Sequence, residues 1–127
     1  MKRFCAILVV ATLVLGVAGS ASARPPYKGI FEGKYLEGAG DKFKAAVGEA
    51  KCNVCHEGKE KKDRNEYGKA LAKVLTKAKF DELKGDMDAL KKFANESLEK
   101  TAGEKSSGGK TFGELIKAGE LPGGTPK

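Results

Sequence analysis

Residues 51–68 read KCNVCHEGKEKKDRNEYG and hold the only histidine of the chain together with two of its three cysteines. Cys52 and Cys55 are separated by two residues, and His56 follows directly. This cluster is compatible with covalent attachment of a cofactor, with a redox-active dithiol or a plain disulfide, and with part of a zinc site. Features elsewhere in the chain separate these alternatives.

The first 23 residues have the pattern of a secretory signal peptide. Two basic residues precede an uncharged apolar run at 4–18, and small residues lead to Ala23. The run is shorter than the roughly 18 to 20 apolar residues that a membrane-spanning helix needs. We therefore predict cleavage after Ala23, a periplasmic or secreted bacterial protein, and no membrane span after cleavage. Cleavage also removes Cys5, so that the mature thiols all lie in one motif.

Apolar residues beyond position 40 recur at helical spacing, and no segment alternates over a useful strand length. The stripes are Phe43, Ala46, Val47 and Ala50 in a helix running from Asp41 into Cys52; Tyr67, Ala70, Leu71, Val74, Leu75 and Ala78 in a second; and Leu83, Met87, Leu90 and Ala94 in a third over about 81–100. Gly85 is expected to break the third helix in its first turn. A Thr111–Glu114 capping box predicts a short last helix that ends at Gly119.

These elements predict an all-α fold with one small domain at residues 41–127. Residues 24–40 are rich in glycine and proline, and we predict an extended lead-in there that packs its aromatic and aliphatic side chains onto the domain. The apolar content of the mature chain is low for a domain of this size, so a large apolar cofactor would add packing surface.

The cysteine pair and the histidine match the chemistry of covalent haem attachment. Haem carries two vinyl groups on neighbouring pyrroles, and two thiols one helical turn apart reach both from one side of the ring. An imidazole directly after the second cysteine then reaches the iron as an axial ligand. Export agrees with this interpretation, because bacteria complete the attachment outside the cytoplasm. The sequence thus predicts one haem bound through Cys52, Cys55 and His56.

The competing sites are less well supported by the sequence. A tetrahedral zinc site wants four ligands, and the chain has neither a second C-x-x-C motif nor a second histidine. A thioredoxin-like dithiol belongs in a βαβ setting, which the helical pattern does not provide. A simple disulfide between Cys52 and Cys55 stays open as an alternative, in a helical interaction protein without a cofactor.

The motif KCNVCH, placed after an amphipathic helix in an exported chain, resembles that of monohaem c-type cytochromes of class I. The resemblance is strongest over residues 41–56. It implies thioether bonds from Cys52 and Cys55 to one haem c, His56 as axial ligand, and single-electron transfer between redox proteins. On this resemblance the chain is an electron carrier and has no enzymatic substrate of its own.

The sequence departs from that family in two places. Class I cytochromes use a proline carbonyl to accept the proton of the haem-binding histidine, and this chain has no proline between Pro26 and Pro122. We expect a carbonyl of the 57–66 loop to replace it. The family's second axial ligand is a methionine, and the only mature one is Met87, which is also compatible with a core-filling role.

The identity of the second ligand separates two functions. With Met87 bound, the iron is closed and suits electron transfer. Lysine, tyrosine and asparagine are the other side chains that could take the second axial position. With no protein ligand there, the iron is open. An open distal site would suit a haem-based protein that binds or senses small ligands such as gases.

Basic residues are concentrated around the motif. Loss of residues 1–23 removes two basic and no acidic residues, which lowers the net charge from +7 to +5. Residues 51–79 hold nine Lys or Arg against four Asp or Glu, so they carry the whole surplus. Few aromatic residues accompany them, which disfavours nucleic acid as the partner. We predict a docking face for an acidic redox protein.

Two smaller groups near the motif have functional and structural interpretations. Lys69, Lys73 and Lys77 recur at i, i+4 and i+8, and they either steer the acidic partner or form a solvated helix face. Arg64, Asn65 and Tyr67 either bind the haem propionates or hold the loop after the motif. For Tyr67 the structural alternative is a helix-face anchor, and for Arg64 it is a solvated charge.

Overall fold

The computed structural model describes residues 25–60 and 62–126, and its regular elements are mostly helices. They are α1 (Pro25–Tyr35), α2 (Asp41–Ala50), a 3₁₀ turn (Lys51–Val54), α3 (Glu66–Ala72), α4 (Lys77–Leu83), α5 (Met87–Ala102) and α6 (Phe112–Lys117). The all-α prediction is confirmed at this level. No helix within the described ranges has the length and apolarity needed to cross a membrane. The predicted signal peptide, 1–23, lies outside the described residues.

One small sheet was not expected from the sequence. Strands β1 (His56–Glu57) and β2 (Asp63–Arg64) form an antiparallel hairpin in which His56 is opposite Arg64 and Glu57 is opposite Asp63. Each strand has only two residues, too few to show an alternating pattern. The hairpin matters because it begins at the histidine of the motif.

Helix α1 shows that the predicted extended lead-in at 24–40 is wrong over Pro25–Tyr35. The predicted packing is nevertheless correct: Ile30 and Phe31 are buried, and Tyr27, Tyr35 and Leu36 pack against the same core. Those side chains recur at helical spacing, so the segment buries them on one face of an α-helix. The two prolines occupy the first turn, where a missing N–H costs no helical hydrogen bond.

Helix α2 has the predicted buried stripe but ends before Cys52. Phe43, Val47 and Ala50 are buried, and Lys51 then takes a positive φ of 52°, which ends regular α-helix. The chain continues as the 3₁₀ turn that carries the first cysteine.

The predicted single helix over residues 67–78 is divided in two. Leu71 accepts from both Val74 N and Leu75 N, at 3.1 and 2.8 Å, which tightens the last turn of α3. Thr76 then caps α4, because its hydroxyl accepts from Lys79 N at 3.3 Å. As a consequence Lys69 and Lys77 belong to different helices, and the predicted lysine row on one helix face is wrong.

The predicted break at Gly85 and the predicted last helix are confirmed, whereas the predicted start of the third helix near residue 81 falls inside α4. The chain breaks around Gly85, where Asp86 caps α5 by accepting from Asp88 N and Ala89 N, each at 3.1 Å. The Thr111–Glu114 capping box opens α6, and Gly119 with φ of 76° follows its end.

The core is formed by side chains of α1, α2, α3, α5 and α6, and Tyr67 is fully buried in it. The Tyr67 ring packs edge-to-face on Phe31 and on Phe112, with centroid distances of 6.1 and 5.2 Å. Val54, between the two cysteines, is 5 % exposed and belongs to the same core. The buried Val54 side chain therefore anchors the cysteine turn to the core.

Candidate functional site

Both thiols lie on one short turn. Cys52 is in the 3₁₀ turn, and Cys55 closes it by donating its N–H to the Cys52 carbonyl at 3.3 Å. Residues three apart eclipse each other in 3₁₀ geometry, so the two side chains share one face. Both are free thiols and only partly exposed. The two predicted cysteines are thus brought together on one face of the turn.

The environment of Cys55 favours the neutral thiol. Burial, and then the neighbouring Cys52, raise the pKa of the Cys55 thiol to about 12, although Arg64 opposes the shift. The nucleophilic form of a cysteine is its thiolate. The Cys55 thiol stays protonated at neutral pH, so Cys55 is not an activated nucleophile in this structure.

The histidine is held by the hairpin. Its Nδ1 lies 3.2 Å from the carbonyl oxygen of Asp63. Because a carbonyl oxygen only accepts, Nδ1 carries the proton in this contact, and Nε2 of the neutral ring is then the nitrogen with the lone pair. Asp63 lies in the 57–66 loop, where the sequence predicts a carbonyl partner for His56. This contact selects the tautomer that a metal-binding imidazole needs.

Asn65 joins the cysteine turn to α3. Its side-chain Nδ2 donates to the Val54 and Asn53 carbonyls, at 2.9 and 3.2 Å, and its Oδ1 accepts from Gly68 N at 2.9 Å. Its backbone N–H donates to the Cys55 carbonyl at 3.0 Å. The sequence leaves two roles open for Asn65, and these contacts support the one in which it holds the loop after the motif.

Two glycines permit the close packing around this residue. A Cβ at Gly68 would lie 2.0 Å from the Cys55 carbonyl oxygen, so α3 sits directly against the cysteine turn. A Cβ at Gly123 would lie 2.0 Å from Nδ2 of Asn65. The C-terminal segment that follows the buried Pro122 therefore covers the amide of Asn65. Neither glycine has a recognisable sequence signal, because the contacts join distant parts of the chain.

Two buried polar atoms near the turn have no hydrogen-bond partner within residues 25–60 and 62–126: the Tyr67 hydroxyl and Oδ1 of Asn53. Burial, and then Cys55, raise the pKa of Tyr67 strongly, so its hydroxyl remains a donor at all ordinary pH values. A buried hydroxyl without a partner is costly. Tyr67 is thus the helix anchor that the sequence suggests, and its hydroxyl is a buried donor without a partner among the described residues.

Met87 occupies the first position of α5 and is 55 % exposed. The alternative that it fills the core is therefore wrong, whereas its role as a second axial ligand stays a prediction. Among the described residues, Met87 is a large apolar side chain that lies exposed on the surface. Its exposure also sets it apart from Leu90 and Ala94, which are buried further along the predicted stripe.

The basic surface around the site is uneven. In α4, Lys77 pairs with Asp81 at 2.8 Å and Lys79 pairs with Glu82 at 2.9 Å, so these charges are partly neutralised. Arg64 is exposed, as the solvated alternative predicts, while its effect on Cys55 shows that it lies close to the motif.

Comparisons of the chain with protein-family models, with curated proteins and with solved structures found no match.

Proposed function

We propose that this chain is an exported monohaem c-type cytochrome that carries single electrons between redox proteins. The observation that carries the proposal is the arrangement of Cys52, Cys55 and His56. Two thiols share one face of a 3₁₀ turn, and the next imidazole has its Nδ1 3.2 Å from a backbone carbonyl. Binding of haem c requires two cysteines that form thioether bonds and a histidine whose Nε2 ligates the iron.

The donor set and its surroundings fit this cofactor. When bound, haem supplies an iron that alternates between the ferrous and ferric states and so holds or releases one electron. Cys52 and Cys55 would hold the macrocycle, and His56 would ligate the iron through Nε2. The Asp63 carbonyl keeps the Nδ1 proton in place, which raises the basicity of the ligating nitrogen. The Tyr67 hydroxyl, which has no hydrogen-bond partner within the described residues, supplies a buried donor beside Cys55.

Covalent haem is the first property to test. The full chain is expressed in a bacterium with its haem-attachment machinery, and the exported product is stained for haem on a denaturing gel. We expect a stained band near the mature mass, and loss of the band in the double variant Cys52→Ala/Cys55→Ala. An unstained wild-type chain would remove both haem functions and leave the disulfide-containing interaction protein.

A second candidate function follows from Met87. This side chain is 55 % exposed at the start of α5, which is compatible with an iron that lacks a methionine ligand. A haem-based protein that binds or senses small ligands through an open distal site is then the alternative to an electron carrier. The chain has no second histidine to serve as a distal acid or base, which disfavours peroxidase chemistry.

The spectrum of the haem protein separates these functions. An electron carrier with Met87 bound should show the long-wavelength methionine-to-iron charge-transfer band, and Met87→Leu should abolish it while leaving the covalent haem in place. A ligand-binding protein should lack the band and bind carbon monoxide readily in the ferrous form. In the carrier, carbon monoxide binds the wild type slowly and the leucine variant rapidly.

The basic surface supports an acidic redox partner for the carrier. Lys69 and Lys73 are exposed and have no ion-pair partner within the described part of the chain, unlike the lysines of α4. Such charges raise association rates and are screened by salt. Electron exchange with an acidic redox protein should therefore slow as ionic strength rises, and Lys69→Gln/Lys73→Gln should weaken that salt dependence.

A further inference from the structure

Three consecutive backbone carbonyls of the cysteine turn accept hydrogen bonds from one residue. The Asn53 and Val54 carbonyls accept from Nδ2 of Asn65, and the Cys55 carbonyl accepts from its backbone N–H. Carbonyls at the C-terminal end of a helical turn have no partner within the helix. Asn65 supplies those partners, and it does so at the two residues that set the spacing of the thiols.

The contacts exceed what a helix cap requires. A cap needs only a side-chain oxygen, which Ser, Thr or Asp supplies as well as Asn. In Asn65 the oxygen caps α3 at Gly68, and the amide nitrogen at the same time uses both hydrogens on the cysteine turn. Among these residues only asparagine offers an acceptor and two donors in this geometry.

The amide is also confined. Asn65 is 4 % exposed, and the backbone of Gly123 approaches so closely that a Cβ there would lie 2.0 Å from Nδ2. On the other side α3 meets the Cys55 carbonyl at Gly68. The side chain therefore has no room to rotate away, and the turn is held in one conformation.

We propose that Asn65 is a positioning residue for haem attachment, which holds the Cys52–His56 segment so that both thiols and the imidazole face the same side. This inference rests on the proposed function. It assigns no contact between Asn65 and haem, because all its hydrogen bonds go to backbone groups. It predicts that the number of thioether bonds formed, and not only the stability of α3, depends on the amide nitrogen.

Asn65→Asp is the decisive variant, since aspartate keeps the shape and the cap on Gly68 but presents an oxygen to two carbonyls. The full chain is expressed with the haem-attachment machinery, and the purified haem-bearing product is analysed by mass spectrometry and by its pyridine haemochrome spectrum. A haem with one unreacted vinyl group absorbs at longer wavelength than one with two thioether bonds. We expect the ratio of one-bond to two-bond haem to rise roughly tenfold.

Thr76→Ala is the matched control, because it removes the cap of α4 without touching the cysteine turn. It should leave the one-bond to two-bond ratio unchanged even if it lowers the yield. If Asn65→Asp yields no soluble product, Asn65→Ser, which keeps an N-cap hydroxyl but lacks the two amide N–H donors, should show the same rise. The proposal is overturned if these Asn65 variants have the wild-type ratio and haemochrome. A wild-type chain without haem would instead refute the proposed function.

Discussion

Gly68→Ala is the sharpest test of how closely α3 packs on the cysteine turn. A Cβ at this position would lie 2.0 Å from the Cys55 carbonyl oxygen and 2.9 Å from the carbonyl carbon. Both are backbone atoms, so no side-chain rotation relieves the clash. In an exposed helix the same substitution stabilises, because alanine has the higher helix propensity. The sign of the effect therefore reports the contact itself.

The magnitude follows from the distance. Carbon and carbonyl oxygen normally approach no closer than about 3.3 Å, so α3 and the turn have to separate by about 1.3 Å. Overpacking of this kind typically costs about 1 to 3 kcal/mol, and the backbone on both sides of this contact favours the upper value. At about 4 °C per kcal/mol for a domain of this size, Tm should fall by about 10 °C.

Gly48→Ala is the control, because Gly48 lies inside α2 and a Cβ there would meet nothing within 4 Å. It should raise the free energy of unfolding by about 0.5 to 1 kcal/mol. Both variants are compared with wild type by guanidinium unfolding followed by far-UV circular dichroism, with m-values checked for agreement. A Gly68→Ala protein as stable as the Gly48→Ala protein would show that α3 does not pack on the Cys55 carbonyl.

Three further predictions concern the frame around the site. Burial, and then Glu99, raise the pKa of Tyr35 from 10.0 to about 12. The protonated Tyr35 hydroxyl therefore contributes stability that is complete below pH 10 and is lost as pH rises through 12. Tyr35→Phe should flatten the fall in unfolding free energy over that range, measured by urea unfolding at each pH. Thr111→Ala removes the capping box of α6 and should cost about 1 kcal/mol by the same assay, whereas Thr111→Ser should cost much less. Leu98 is 2 % exposed, and Leu98→Ala should cost about 2 to 5 kcal/mol in chemical unfolding; a smaller loss would mean that α5 does not close the core.

Helices with a local signature could be predicted from the sequence, and those decided by competition could not. The capping box at Thr111 and the stripe of α2 are local patterns, and both are present in the structure. At Thr76 the side-chain cap competes with continuation of an apolar stripe, and nothing in the stripe shows which prevails. In α1 the glycine and proline content indicates an extended segment, although Tyr27, Ile30, Phe31 and Tyr35 recur at helical spacing.

The same distinction applies to the site. The spacing of Cys52, Cys55 and His56 is a property of adjacent residues, so the sequence alone names them. The Asp63 carbonyl that meets His56 is a backbone group, which every residue possesses and no residue type marks. The contacts of Asn65 with the cysteine turn reach back across 11 and 12 positions, and they become visible only when the hairpin brings those segments together.

The hairpin explains how the chain orients His56 without a proline turn. Two-residue strands are marginally stable by themselves, so the Asp63 carbonyl needs support from outside β1 and β2. The bond from Asn65 N to the Cys55 carbonyl extends the hairpin by one step beyond the His56–Arg64 pair, and it attaches the hairpin to α3. The imidazole is therefore oriented by the packing of α3 on the turn. It follows that substitutions at Asn65 should also disturb the protonated Nδ1 contact of His56, although that contact is made two residues away.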